Sequence, residues 1–226
     1  MEAKRPLRYT DFRSKTLEVK KMNEWINAIM TGIKMYTEYA FLPIAVIFLG
    51  VSIRRNSFRP IAFLYSEAFA LYISCVIALV FFPLPDAATV MTLNGYHGRF
   101  VPFSFISDIA RERSLESVLQ VLFNIVMMVP FGVFLTFRKS SNLKKTVIYT
   151  FLFSLFIEIG QLTGLFFTYA GSYRLFDPDD LITNTLGGLI GALVTALVLA
   201  RRPKLNVLAN SREYPVFGFV GKRARQ

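Results

Sequence analysis

The chain has 226 residues, 54% of them hydrophobic and 18% charged, with a mean hydropathy of +0.45. That balance exceeds what a water-soluble domain of this size needs, and it points to an all-α, multi-pass transmembrane helical bundle. The formal net charge of +11 is not accompanied by any basic-aromatic module or groove-entering motif, so nucleic acid is not an expected partner and an anionic membrane surface is.

The first thirty residues are charged throughout and contain no continuous apolar core, so no cleavable signal peptide is expected. Within a basic segment spanning 1–35, Trp25, Ile26, Ile29, Met30 and Ile33 recur at helical spacing. This pattern suits a short amphipathic helix on the membrane surface, and equally an extension of the first membrane-crossing helix.

Apolar runs then predict five crossings, each near the roughly 20 residues that a 30 Å hydrocarbon layer requires. They lie at 36–53, 60–82, 116–137, 146–168 and 181–200 and together form one transmembrane domain, 36–200. Glu38 and Pro43 leave the length of the first loosely defined, whereas Pro60 and the Pro83-Leu84-Pro85 run mark both ends of the second. A basic tail occupies 201–226. The lone Cys75 reads as an inert buried thiol.

Five crossings place 83–115 and 169–180 on one side of the membrane, here called face A, and the tail on the other, face B. Arg54, Arg55, Arg59, Arg138, Lys139, Lys144, Lys145, Arg201, Arg202 and Lys204 all border face B. The positive-inside rule therefore makes face B cytoplasmic and face A extracytoplasmic.

Polar side chains inside such helices are costly and mark candidate sites. Asn124, Glu158, Gln161 and Asn184 all fall in the face A half, with Glu158 placed near the midplane. Ser154, Glu158 and Gln161 share one helical face, as do Glu116, Gln120 and Asn124, and Asp177, Asp180, Asn184, Gly187 and Gly191. The last series changes from acidic to amide to glycine, which describes a polar pocket closed below by tight packing. Gly187 and Gly191 form a small-xxx-small pair suited to helix packing within this chain more than to self-association; the oligomeric state stays open. Glu67 lies apart, towards face B, where it could reach Arg59.

In the loop before the last helix, Arg174 is the one basic residue among Asp177, Asp179 and Asp180. It could pair with Asp177 while Asp180 caps the helix, or it could engage the anionic head of a ligand. The three aspartates also admit a metal site. No zinc spacing, phosphate-binding glycine loop or nucleophile elbow is present, and no cofactor is expected. Arg99, in the other face A loop, would add positive charge over the pocket.

The stretches Arg99-Phe100-Val101-Pro102-Phe103, Asn124 followed by Pro130-Phe131-Gly132, Glu158 with Gln161, and Arg174 through Asp177-Pro178-Asp179-Asp180-Leu181-Ile182 to Asn184-Thr185-Leu186-Gly187 together resemble the VanZ-like family of bacterial membrane proteins. The resemblance covers about 99–192 and, more loosely, the two preceding crossings. The family's Arg-Asn-Leu-x-Pro-Phe pattern is reduced here to Arg99-Phe100-Val101-Pro102-Phe103, without its asparagine. The family is named for a member linked to teicoplanin resistance, which implies an envelope location and a glycopeptide or lipoglycopeptide tolerance phenotype. The expected ligand-binding set is Arg99, Asn124, Glu158, Gln161, Arg174, Asp177, Asp180 and Asn184. Expected partners are membrane lipids and a lipid-linked cell-wall precursor or a lipoglycopeptide. A non-enzymatic protein that binds an amphiphilic or lipid-linked anionic ligand in an outer-leaflet polar pocket, with Arg174 engaging the anionic head, is favoured over two rivals: an enzyme acting on a lipid head group or cell-wall precursor with Glu158 as acid/base, and a proton-coupled transporter.

Overall fold

A computed structural model describes residues 9–56, 58, 60–112, 115–137 and 142–202, with side chains described from residue 22 onward except at 112 and 116. Arg59, Arg138, Lys139 and most of the basic tail therefore lie outside the described residues. Those that are described form helices joined by loops: α1 (Tyr9–Met35), a π-helical segment (Tyr36–Ala40), α2 (Phe41–Arg54), α3 (Pro60–Phe81), α4 (Ala87–Thr92), α5 (Ser104–Glu112), α6 (Leu115–Phe137), α7 (Leu143–Leu162), α8 (Gly164–Phe167) and α9 (Pro178–Arg201). Five helical stretches among them are long and apolar enough to cross a membrane: Met22–Arg54, Pro60–Phe81, Ser117–Phe137, Leu143–Leu162 and Pro178–Arg201. The protein is an all-α, multi-pass membrane bundle.

The first crossing stretch begins earlier than its sequence suggests. Helix α1 runs without interruption into the π-helical segment and α2, and its second half packs along α3. A Cβ added at Gly32 would lie 2.5 Å from the Cα of Cys75, so the two backbones touch there. Trp25 stacks on Phe123 of α6 at 4.8 Å between ring centroids. Ala28 and Gly32 are the buried residues of the 22–35 stretch, which touches α3 and α6 along one side and leaves most of its other side chains exposed. The π-helical turn has a local cause. Pro43 has no N–H for the carbonyl four residues earlier and its ring crowds that carbonyl, so the preceding turn widens, with Phe41 N–H donating to the Tyr36 carbonyl.

The apolar core lies where α3, α6 and α7 meet, built from Val76, Val80, Phe81, Met127, Met128, Phe131 and Ile157. Phe131 stacks on Phe153 at 4.7 Å. Pro130 interrupts the hydrogen-bond ladder of α6, and side chains from α3 supply donors to carbonyls near it: Tyr72 Oη donates to Met127 O at 2.8 Å, and Tyr65 Oη to Phe134 O.

Helices α6 and α9 form the closest pair. A Cβ at Gly187 would strike the Ile125 carbonyl, one at Gly191 the Val129 carbonyl, and one at Gly132 the Gly188 carbonyl. Glycine on both helices lets the backbones meet where lipid offers no hydrophobic drive to bring them together. On α7, Thr146, Thr150, Ser154 and Glu158 form a buried stripe four residues apart, and Thr150 fills the space over Gly188. The glycine pair serves packing inside the chain.

The fourth crossing ends sooner than expected. Helix α7 stops at Leu162, and the apolar residues after it fold back: Gly164, Leu165, Phe166 and Phe167 all have positive φ, between 54° and 66°. This left-handed turn is unfavourable for three side-chain-bearing residues. Thr163 secures it by accepting from Phe166 N–H through Oγ1 at 3.1 Å. Glu158 consequently lies four residues, or about 6 Å, from the end of its helix.

Beyond this turn the two face A loops join. Gly95 pairs with Gly171 and Gly98 with Phe176 in isolated parallel bridges, with Arg99 N–H donating to Phe176 O at 2.8 Å. Ser172 Oγ accepts from His97 N–H at 3.0 Å and donates to Leu162 O at 2.6 Å, tying both loops to the end of α7.

Candidate ligand site

The acidic run at the start of α9 is arranged residue by residue. Asp177 is the N-cap, its Oδ1 accepting from Asp179 N–H at 2.9 Å, and Pro178 occupies the first turn, where its missing N–H costs nothing. Asp177 therefore holds the capping role that the sequence suggested for Asp180. Asp179 turns away from its own helix and caps another. Its carboxylate accepts from Phe103 N–H at 2.5 Å, Ser104 Oγ at 2.7 Å and Phe105 N–H at 2.8 Å, at the N-terminus of α5. Asp180 accepts from Asn124 Nδ2 at 2.5 Å, linking α9 to α6.

Below these aspartates lies a hydrogen-bonded floor. Glu158 Oε2 accepts from Asp177 N–H at 3.0 Å, so α7 is fastened to the α9 cap. Asn184 Nδ2 donates to Ser154 Oγ at 3.0 Å, while its buried Oδ1 has no hydrogen-bond partner among the described residues. Gln161 Nε2 donates to Val80 O at 3.0 Å, at the end of α3. Four of the expected site residues, Asn124, Glu158, Gln161 and Asn184, thus join helices to one another or to the loop.

A cavity of about 200 Å³ opens above this floor, and its walls include Arg99, Phe105, Asp108, Ser117, Gln120, Asp177, Asp179, Asp180 and Thr183. Arg99 Nη1 donates to Asp108 Oδ2 at 2.6 Å. That bond raises the pKa of Arg99 and holds the Asp108 carboxyl below the usual carboxylate range. Burial acts in the opposite direction on Asp177, raising its pKa against the lowering effect of the hydrogen bond it accepts from Asp179 N–H.

Arg174 is not in this cavity. Its Nη2 donates to Phe82 O at 2.6 Å, and burial pushes its pKa down. Neither the expected pairing with Asp177 nor a place over the aspartates is realised, because the loop directs the side chain to the carbonyl that α3 leaves free as it ends before Pro83. The expected aspartate metal site is not formed either. Among the described residues no group of three or more His, Cys, Asp or Glu could hold a metal ion. Capping N–H groups, Ser104 and Asn124 engage these aspartates individually and turn them in different directions. Glu67, the isolated acid, accepts from Tyr36 Oη at 2.9 Å through one oxygen and has no partner for the other among the described residues, which do not include Arg59.

Of the expected set, Arg99, Asp177 and Asp180 line the cavity, with Asn124 and Glu158 supporting its rim. The sequence reading missed Asp108, Ser117 and Thr183 as lining residues. Asp108 offered one signal: it stands nine residues after Arg99 at the polar side of an amphipathic run, within reach once the chain turns at Phe103, whose φ is +62°.

No curated protein and no solved structure matched the chain. The VanZ/LLP1 family model matches residues 69–199, more than half of the chain and every element that builds the cavity. The chain belongs to the VanZ/LLP1 family.

Proposed function

We propose that this protein is a non-enzymatic component of the bacterial envelope that takes the polar head of an amphiphilic or lipid-linked ligand into the face A cavity, and so contributes to glycopeptide or lipoglycopeptide tolerance of the teicoplanin type. The observation that carries the reading is the cavity itself: a polar recess at the ends of membrane-crossing helices, lined by Arg99, Ser117 and Gln120 together with Asp177, Asp179 and Asp180. One guanidinium against Asp108, Asp177, Asp179 and Asp180 favours a head group bearing hydroxyl or amine donors over a purely anionic one. Arg99, and not Arg174, is the group placed to meet any acidic substituent. Exposed Arg54, Arg55, Lys144, Lys145, Arg201 and Arg202 at face B support a cytoplasmic face B and an extracytoplasmic cavity.

The test compares teicoplanin tolerance and membrane abundance, in the same susceptible cells, for wild type, Arg99→Ala, Asp180→Asn, Glu158→Gln and Arg174→Ala. The cavity and rim variants are expected to lose tolerance at unchanged abundance, whereas Arg174→Ala should lose tolerance only as far as abundance falls. Full tolerance in Arg99→Ala and Asp180→Asn at wild-type abundance would refute the reading.

A further inference from the structure

Helix α5 is tied at both ends to one membrane boundary. Its N-terminus is capped by Asp179, at the start of α9, and its C-terminus leads within a few residues to Leu115, the start of α6. Both anchors are starts of membrane-crossing helices that enter from face A and pack against each other. A nine-residue helix about 13 Å long, held at the same depth at both ends, lies along the membrane plane and not across it.

Its two sides differ. Phe105 and Asp108, separated by three residues, face the cavity. Ile106 points the other way and is 57% exposed, and the approach to the helix adds Phe100 at 68%, Val101 at 64% and Phe103 at 58%. Such a run of exposed large apolar side chains is unusual on a surface facing water. The chain then enters α6, a crossing helix whose Leu115, Leu119, Leu122 and Val126 are exposed along one stripe, three or four residues apart.

We infer that α5 and the Phe100–Phe103 approach lie in the head-group region of the face A leaflet, with Phe100, Val101, Phe103 and Ile106 seated among the lipids and Phe105 and Asp108 turned to the cavity. The occupant of this apolar surface is the bilayer, because Asp179 ties one end of α5 to the start of a crossing helix and the other end runs within a few residues into a second, which holds the surface at the lipid boundary. The cavity mouth then opens at the interface, so a ligand enters sideways from the leaflet. That last step rests on the ligand reading above; the placement of α5 does not.

The full chain carries one tryptophan, Trp25, stacked on Phe123. In a Trp25→Phe background, Phe103→Trp, Ile106→Trp and Arg111→Trp are made singly and reconstituted in phosphatidylcholine vesicles. Emission is compared with lipids brominated in their acyl chains and with iodide present on both sides. Phe103→Trp and Ile106→Trp should emit to the blue of Arg111→Trp, lose intensity with brominated lipid and resist iodide. Arg111→Trp, on the polar side of the same helix, should do the opposite. Either of the first two reporters suffices if the other fails to reconstitute. Iodide quenching at 103 and 106 as strong as at 111, with no response to brominated lipid, would overturn the placement. If tolerance were still lost in Arg99→Ala under that outcome, the ligand reading would stand and only the membrane seat of α5 would fall.

Discussion

Asp179 is the residue on which the architecture of the cavity depends most. It is 4% exposed, and its carboxylate serves three donors on a helix 75 positions away in sequence. Hydrogen bonds to a charged acceptor contribute roughly 1.5–3 kcal/mol each, and donors left buried cost comparable amounts. Asp179→Ala should loosen α5 by about 3 kcal/mol, seen as roughly 100-fold faster hydrogen exchange at Phe103 and Phe105, while the crossing helices stay protected. Asp177 and Asp108 should give opposite pH slopes. Burial raises Asp177 in the folded state, so the unfolded chain releases that proton first, and stability falls as pH rises from the unfolded value near 3.9 through the raised one. Asp108 is lowered by Arg99, so its contribution is present above about 3.9 and is lost as pH falls through its depressed value. Asp177→Asn keeps an oxygen for the Asp179 N–H and should flatten the decline above pH 4 in thermal unfolding. Asp177→Ala should in addition lose about 1 kcal/mol of capping.

At the scale of elements, the α6–α9 contact sets the frame into which the polar side chains fit. Gly187 and Gly191 meet backbone carbonyls of α6, which cannot move aside as a flexible side chain could. Gly187→Ala and Gly191→Ala should each cost about 1–3 kcal/mol by forcing the helices apart, measured as a lower unfolding temperature in detergent, with no change in the surface labelling of face A loops. Asn124 and Asp180 bridge the same pair of helices at 2.5 Å, so Gly187→Ala should also weaken the cavity rim. The left-handed turn after α7 is the counterpart at the membrane edge. It ends the helix four residues beyond Glu158 and so brings that carboxylate to the Asp177 N–H. Nothing in the apolar run from Gly164 to Phe167 announces the reversal, since Leu165, Phe166 and Phe167 individually favour other backbone conformations.

For the molecule as a whole, the joined face A loops and the basic face B ends give it two distinct sides. In a Cys75→Ser background, a cysteine placed at Met91, which is 87% exposed in α4, should react with an impermeant reagent added to intact cells. One placed at Arg202 should react only after the membrane is opened. The reverse pattern would invert the orientation proposed above and put the cavity in the cytoplasm.

The helical class, the number of crossings and the family were legible from apolar run length and from residues such as Pro60, Pro130 and the Asp177–Asn184 stretch. They depend on local chemistry: lipid demands internally satisfied backbone over a set length, and capping and proline effects act within one turn. Most of the site residues were legible as polar groups in costly positions, but their partners were not. Arg174 and Asp177 are three residues apart yet part company, while Arg99 finds Asp108 and Asp179 finds α5. Those choices follow from where distant loops meet, at Gly95 with Gly171 and Gly98 with Phe176, and from where α7 ends. A side chain's partner is set by which donors folding brings within about 3 Å, and for Asp179 those donors lie 74–76 residues away along the chain.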